Sequence, residues 1–369
     1  MLEIKKSTIK IHNYSKINKL IWENTIIDIE YKGIDSGISE FEKFVKCVCT
    51  TKDEESNKKF NINKFNALKS SIGYLISNFK KKSETYAIIL TDEEITESVD
   101  GGTGKSIFLE AIGKIRSMKE IDGQTLDLNS NFAFSDIEAF HEVINIDDCD
   151  RKFNFKKLFH SITGDLQIEK KNQNKITIPF EQSPKFCLST NHVFKGNGNS
   201  YERRKVEIEF SNYFDSNYTP LDEFKHQLYY DWDNKEWNRF INFIIHCCQF
   251  YLNNGLIKYN QINLKKKRLH ETIGQELADF FDKYIEIEKL FIKNELFDEY
   301  NKLNRSQVSL RTFKIGLLYW AETYNDFTLI DKLQRKYKLY ATVVTKNKRL
   351  NIKNLIDNEV ISKFEQYMI

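Results

Sequence analysis

The sequence lacks a strong net charge of either sign. Lys and Arg total 56 against 53 Asp and Glu among its 369 residues, which leaves a formal net charge of +3. No field of the whole molecule therefore selects a nucleic-acid or membrane partner, and any such signal must be local. Only three prolines are present, whereas hydrophobic residues reach 40% and charged residues 30%, a balance that excludes disorder of the whole chain.

Patterned cysteines and long apolar runs are also missing. The six cysteines form no CxxC pair and show no metal-ligand spacing, which argues against a disulfide scaffold in a chain of this length. Cys149 is interpreted as an ordinary small side chain. No apolar region follows the first residues as in a signal peptide, and the most apolar stretch, 240–252, is shorter than the ~20 residues of a membrane span. We expect a cytoplasmic protein that makes no membrane contact.

Hydrophobic periodicity divides the chain into four predicted regions. Apolar residues recur every three or four positions over much of residues 1–83, which predicts a helical N-terminal region. Residues 84–215 alternate short apolar runs with a helical stretch, as in an α/β domain with a mainly parallel sheet. We predict a helical connector or lid at 216–290 and, at 291–369, two helices followed by two short strands.

The first motif is a glycine-rich turn between a predicted strand at 86–90 and a predicted helix. Its residues are Gly101, Gly102, Thr103, Gly104, Lys105 and Ser106. Glycines let the backbone approach phosphate groups, and the helix N-terminus favours negative charge. Lys105 would reach the β- and γ-phosphates of ATP, and the Ser106 hydroxyl would hold Mg²⁺. Val99 stands where such loops usually have a first glycine, and the alternative is a turn that only opens a helix.

Two later strands end in polar residues that suit the same chemistry. The apolar run 143–146 ends in Asp147 and Asp148. Asp147 can hold Mg²⁺ through its water shell, and Asp148 can orient or deprotonate the attacking water. The run 185–190 is followed by Asn191, whose amide can hydrogen-bond the γ-phosphate or that water. An acidic strand end and a turn asparagine are each common alone, but their position after the glycine-rich turn favours a site.

Basic residues are concentrated in two further places. Arg203 and Arg204 precede an alternating strand at 206–210. A guanidinium there can reach the γ-phosphate of a neighbouring subunit, and the alternative is a solvated basic turn. Residues 163–180 predict a hairpin whose tip carries three lysines: Lys170, Lys171 and Lys175. Lysines at a tip often only add solubility, but these can also grip the phosphates of DNA.

In this order, the motifs resemble those of the superfamily 3 helicases, the AAA+-type ring ATPases of viruses, phages and plasmids. The likeness is greatest to the helicase portion of phage and mobile-element primase–helicase and primase–polymerase proteins, and it covers about residues 84–212. The matching segments are GGTGKS at 101–106, INIDD at 144–148, TGDLQIEKK at 163–171, SPKFCLSTN at 183–191 and the pair Arg203-Arg204.

This resemblance implies an AAA+-like P-loop ATPase core in a homo-hexameric ring that hydrolyses ATP between subunits and unwinds DNA 3′ to 5′. It assigns Lys171, assisted by Lys170, to a hairpin that lines the central channel. Arg203 or Arg204 would be the trans-acting finger. The expected partners are single-stranded and forked DNA, further copies of the chain, and a separate primase or polymerase, because residues 1–83 contain no primase catalytic set.

The C-terminal region resembles the winged-helix module that these helicases often carry. One predicted helix should turn four apolar residues inward: Leu310, Phe313, Leu317 and Trp320. Arg311 and Lys314 would then face DNA, and the basic hairpin that follows would be the wing. The alternative is a packed helical cap with a solvated basic edge.

Two functions remain open on the sequence alone. The first is an ATP-driven DNA helicase in phage or mobile-element replication. The second is a replication initiator or loader that binds ATP and encircles DNA without unwinding it, an interpretation that the Val99 departure and the basic C-terminus support. A structural ATPase that moves protein or packages DNA fits the lysine-bearing hairpin less well.

Overall fold

The structure is a computed structural model. It describes residues 1–17, 20–35, 37–52, 57–93, 102–192, 194, 199–259, 262–287, 289–304, 307–324, 328–334 and 339–345. The chain divides into two compact units, 1–261 and 262–369.

Among its described residues, the N-terminal part of the first unit combines two α-helices with two short hairpins and two 3₁₀ turns, at Tyr14–Lys16 and Glu23–Thr25. The side chain of Ser39 caps α1 (Glu40–Cys47), and that of Asn61 caps α2 (Ile62–Ile76), each by accepting a backbone N–H of the first turn. The hairpins pair β1 (Leu2–Ile4) with β2 (Ile9–Ile11), and β3 (Thr50–Lys52) with β4 (Lys58–Phe60).

The prediction of a helical N-terminal region is therefore wrong for the segments that form β1 to β4. Leu2 and Ile4 alternate with a polar residue, which is the period of a strand. Together with Ile9 they pack against the main core of the unit. Strands of only three residues give too few repeats for this period to stand out beside the helical spacing of α1 and α2.

A sheet of five parallel strands forms the centre of the first unit. These strands are β5 (Ala87–Asp92), β6 (Met118–Asp122), β7 (Val143–Cys149), β10 (Lys185–Thr190) and β11 (Lys205–Phe210), and the antiparallel hairpin β8 (Leu166–Ile168) and β9 (Ile176–Ile178) stands between β7 and β10 in the chain. The order across the sheet is β11–β5–β10–β7–β6, and every neighbouring pair is parallel. The predicted α/β fold with a mainly parallel sheet is confirmed.

Helices and loops bury both faces of this sheet. The helices are α3 (Lys105–Gly113), α4 (Phe159–Thr163), α5 (Asn199–Glu202), α6 (Pro220–Phe224) and α7 (Asn234–Asn254). Ile88 and Leu90 of β5 point into a core shared with α1, α2, α3 and α7. Ala87 and Ile89 point the other way, into a second core that includes the β8–β9 hairpin. Both sides of β5 are thus apolar, as expected for an inner parallel strand.

A glycine allows α2 to pack closely against α7. A Cβ atom on Gly73 would lie 2.2 Å from the backbone oxygen of Cys247, so no larger residue fits without moving one helix. We expect Gly73→Ala to lower the free energy of unfolding by about 1–3 kcal/mol through overpacking.

Urea denaturation would measure this loss, and Gly113→Ala is the matched control. Gly113 also lies in a helix, but its Cβ would meet only the flexible Met118 side chain, at 3.3 Å. Because Ala favours helices over Gly by about 1 kcal/mol, this control should be neutral or slightly stabilising. Equal stability of the two variants would contradict the close packing.

The second unit contains four helices and a small antiparallel sheet among its described residues. The helices are α8 (Ile262–Ile273), α9 (Gln275–Tyr284), α10 (Lys293–Leu303) and α11 (Leu310–Leu318), and a π-helical turn at Tyr319–Tyr324 extends the last one. The strands are β12 (Leu290–Phe291), β13 (Thr328–Gln334) and β14 (Leu339–Thr345), in the order β12–β14–β13. The two predicted helices and the two predicted strands of this region are confirmed.

The inward face of α11 agrees with its periodicity. Phe313, Leu317 and Trp320 are buried, whereas Leu310 is only partly covered. A Cβ on Gly316 would lie 2.9 Å from a methyl group of Leu277 in α9, so that side chain would have to shift.

The predicted DNA-facing residues of this unit are described only in part. Arg311 and Lys314 are exposed on α11. Six basic residues of the predicted wing lie outside the described residues: Arg335, Lys336, Lys338, Lys346, Lys348 and Arg349. Among the helices that the structure describes, none is both long and apolar enough to cross a bilayer.

Candidate nucleotide site

The turn that opens α3 depends on glycine. Gly102 and Gly104 have φ angles of +114° and +100°, in the left-handed region that other residues rarely adopt. A Cβ on Gly104 would also lie 2.7 Å from the ring of Phe44 in α1. The backbone here therefore lacks side chains at two positions, as a phosphate-binding turn requires, and Gly102 is exposed. Gly101 and Val99, which belong to the predicted motif, lie outside the described residues.

Lys105, the first residue of α3, links the ends of two strands. Its Nζ lies 2.8 Å from Oδ1 of Asn191, directly after β10, and 2.5 Å from Oδ2 of Asp92, the last residue of β5. The Oγ1 atom of Thr103 donates a hydrogen bond of 2.5 Å to the other oxygen of Asp92. These contacts bring together three predicted site residues: Lys105, Thr103 and Asn191. Asp92, which takes part in them, was not predicted from the sequence.

A bulge near the end of β7 sets the two predicted acidic residues apart. Leu188 of β10 pairs with Ile146, but Thr190 pairs with Cys149, so β7 holds one extra residue at this point. Asp148 adopts a φ of +50°. Bulges of this kind are frequent next to active sites because they re-aim side chains.

Ser189 of β10 holds both acidic residues. Its hydroxyl donates to Oδ1 of Asp147 and accepts the backbone N–H of Asp148 at 2.9 Å. Asp147 is half-buried, whereas the exposed Asp148 accepts a hydrogen bond from the amide of Gln124 at 2.5 Å. Asp147 is therefore fixed in one position, and Asp148 faces solvent, where a water molecule can reach it.

Ser106 and Asp147 line the same cavity, which has a volume of about 460 Å³. Hydroxyl and carboxylate oxygens are the donors that Mg²⁺ prefers, and this ion usually takes one or two carboxylates and completes its shell with water and substrate phosphates. Among the described residues, no three His, Cys, Asp or Glu side chains gather as they would in an all-protein metal cage. The donor set fits a Mg²⁺ ion that arrives with a nucleotide.

Cys149 follows the acidic pair but is chemically inert. Its side chain is buried, and burial raises the pKa of the thiol, so the reactive thiolate is not formed at neutral pH. This agrees with its interpretation as an ordinary small side chain.

Arg203 and Arg204 lie at the amino ends of the parallel strands, whereas Lys105 and Asn191 lie at the carboxyl ends. The two arginines precede β11, and the carbonyl of Arg204 accepts the N–H of Ala87, at the start of β5. Lys105 and Asn191 lie beyond the other ends of these parallel strands, and six residues of strand span about 20 Å. Neither arginine therefore reaches the cluster around Lys105 in the same chain.

The two arginines differ in their surroundings. The Arg204 guanidinium lies 4.7 Å from the centre of the Phe159 ring and donates to the carbonyl of Ser200. Arg203 is exposed, and its Nε donates to the carbonyl of Asn199 within its own turn. Arg204 is thus held by packing, and Arg203 is the more available of the two.

The predicted lysine-bearing hairpin is confirmed as β8–β9, and its turn spans residues 169–175. Lys171 and Lys175 are exposed on this turn. Lys170 differs, because its Nζ pairs with the carboxylate of Glu138 and only 20% of its side chain is exposed. Two of the three lysines are available to a ligand without breaking an ion pair.

Comparisons with known proteins add three findings. The profile of a family of unknown function, DUF5906, matches residues 97–204. No curated protein sequence matches the chain. Among solved structures, an apo form of the NrS-1 C-terminal region is 14% identical with a TM-score of 0.41, and covers 86% of this chain and 77% of its own. The JCV helicase with a bound small molecule is 11% identical with a TM-score of 0.23, and covers 69% and 64%. Both TM-scores lie below 0.5.

Proposed function

We propose that the chain is an ATP-dependent DNA helicase of phage or mobile-element replication, which acts as a hexameric ring and moves 3′ to 5′. The observation that carries this proposal is the contact of Lys105 with Asn191, beside the cavity that Ser106 and Asp147 line. These residues come from two strand ends and one helix start, all at the carboxyl edge of a parallel sheet. Ligands of open α/β sheets bind at this edge.

Five residues or groups at this edge have distinct roles in the proposed hydrolysis. The ammonium of Lys105 binds the β- and γ-phosphates, and the bare turn at Gly102 and Gly104 lets backbone N–H groups approach them. Asn191 orients the γ-phosphate or the attacking water. Asp148, which faces solvent, orients that water or accepts its proton. Mg²⁺, when bound by Ser106 and Asp147, would offset phosphate charge.

The position of Arg203 supports hydrolysis between subunits. Because it lies at the opposite edge of the sheet from Lys105, it can complete a nucleotide site only on another copy of the chain. A closed ring of identical subunits supplies such contacts at every interface. In this arrangement each copy contributes Lys105 to one site and Arg203 to the next.

The hairpin turn supplies the DNA contact in this proposal. We expect Lys171→Ala to weaken binding of single-stranded DNA and to leave nucleotide binding intact. Loss of one phosphate contact should lower the slope of log K against log salt concentration by about 0.7. Fluorescence anisotropy over a salt series measures both quantities.

The matched control for this experiment is Lys59→Ala, because Lys59 is also an exposed lysine on a short hairpin. It should leave both the affinity and the salt slope unchanged. Equal effects of the two substitutions would show that lysine charge acts generally, and would remove the hairpin from the proposal.

Strand displacement on forked DNA tests the function itself. Forks with a single 3′ tail or a single 5′ tail are incubated with ATP and either the wild-type protein or Lys105→Ala. We expect displacement with the 3′ tail only, and none by the variant. Binding of ATP and DNA without displacement would favour the initiator or loader.

A further inference from the structure

Asp92 is a partly buried charged residue that neither the sequence motifs nor the proposed reaction uses. It ends β5, and only 12% of its side chain is exposed. One oxygen lies 2.5 Å from the Lys105 ammonium, and the other accepts the Thr103 hydroxyl at 2.5 Å. Both oxygens of one carboxylate are thus directed at the two side-chain donors of the phosphate-binding turn.

Phosphate oxygens seek the same donors. A lysine ammonium has three donor positions, and here Asp92 and Asn191 use two of them. A phosphate that contacts Lys105 while Asp92 stays in place would put two anions on one cation within hydrogen-bond distance. Like charges this close in a partly buried site repel strongly.

From this geometry we propose that Asp92 is an internal anion that competes with the nucleotide, so that phosphate binds by displacing the Asp92 carboxylate from Lys105 and Thr103. This inference rests on the proposed nucleotide site and adds a residue that sets its affinity.

The strand itself cannot move away to release the carboxylate. The next residue, Glu93, donates its backbone N–H to Phe210 at 2.7 Å, and its carboxylate lies 2.7 Å from the Nζ of buried Lys64. On the other side of Asp92, Thr91 pairs with Glu209 of β11, so the backbone of β5 is held on both sides. Displacement must occur by rotation of the Asp92 side chain, which is a local and rapid event.

Asp92→Asn tests the competition, because it keeps the shape of the side chain and removes its charge. Isothermal titration calorimetry with ADP and with pyrophosphate should show about tenfold tighter binding by this variant than by the wild type, since a charge-assisted contact no longer has to be broken. Asp215→Asn is the control: it removes the same charge from an exposed residue near the turn. The affinity of Asp215→Asn for ADP and for pyrophosphate should stay within about twofold of that of the wild type.

Thermal melting without ligand provides the second readout. Asp92→Asn and Lys105→Ala should each lower the melting temperature, and the double variant should lose less than the sum, because both changes break one contact. Additive losses, or equal affinity of the wild type and Asp92→Asn for both anions, would overturn the proposal. If neither protein binds ADP or pyrophosphate, the nucleotide site fails, and the role of Asp92 fails with it.

Discussion

Lys105→Ala should reduce the rate of ATP hydrolysis by about 10²–10³-fold, the effect of removing one preorganised donor from a developing negative charge. The Lys105 ammonium lies at the start of α3, between the ends of β5 and β10, where it meets Asn191. No other described lysine has this position. Steady-state phosphate release, measured with single-stranded DNA present, gives the rate.

Lys43→Ala is the matched control for this substitution. Lys43 is an exposed lysine within α1, and alanine suits a helix interior. Its hydrolysis rate should equal that of the wild type. Substantial hydrolysis by Lys105→Ala, together with a melting temperature close to that of the wild type, would mean that the glycine-rich turn is not the catalytic site.

Arg203→Ala should have an effect at least as large, about 10³-fold in the hydrolysis rate, if its guanidinium stabilises transition-state charge on a neighbouring subunit. Arg204→Ala should differ in kind. Because Arg204 packs on Phe159, its loss should lower the melting temperature and change the rate much less. The same phosphate-release assay, combined with thermal melting, separates the two arginines.

Mixing two inactive proteins tests whether Arg203 acts between copies. Lys105→Ala subunits retain Arg203, and Arg203→Ala subunits retain Lys105. A mixed ring therefore contains some interfaces with both residues, and we expect the mixture to regain part of the wild-type rate. A mixture that stays as inactive as its components would place Arg203 outside a trans-acting role.

Buried runs made most of the sheet predictable. β5, β7, β10 and β11 are apolar on both faces or alternate clearly, and all four were expected from the sequence. β6 was not, because this edge strand carries charged residues and is half exposed. Exposure rather than edge position hid β6, because β11, at the other side of the sheet, is buried along its whole length and was predicted.

The site was predictable where it follows strand ends. Lys105 and Asn191 were both predicted for the site because each follows an apolar strand, Lys105 after a glycine-rich turn and Asn191 directly. Asp92 also ends such a strand, so the same rule would have found it. The bulge at Asp147 and Asp148 was out of reach, because the register between β7 and β10 depends on packing across the whole sheet.

The contact between Gly104 and Phe44 affects how the molecule can be dissected. The ring of Phe44 forms the floor of the glycine turn and stacks on Phe214, with 5.8 Å between ring centres. A fragment that begins at residue 84 would keep every motif and lose this floor. Limited proteolysis that cuts before α1 should leave the proposed nucleotide site whole, whereas a cut between α1 and β5 should disable it. Substitutions of Phe44 should behave as substitutions of the turn itself, although no motif points to this residue.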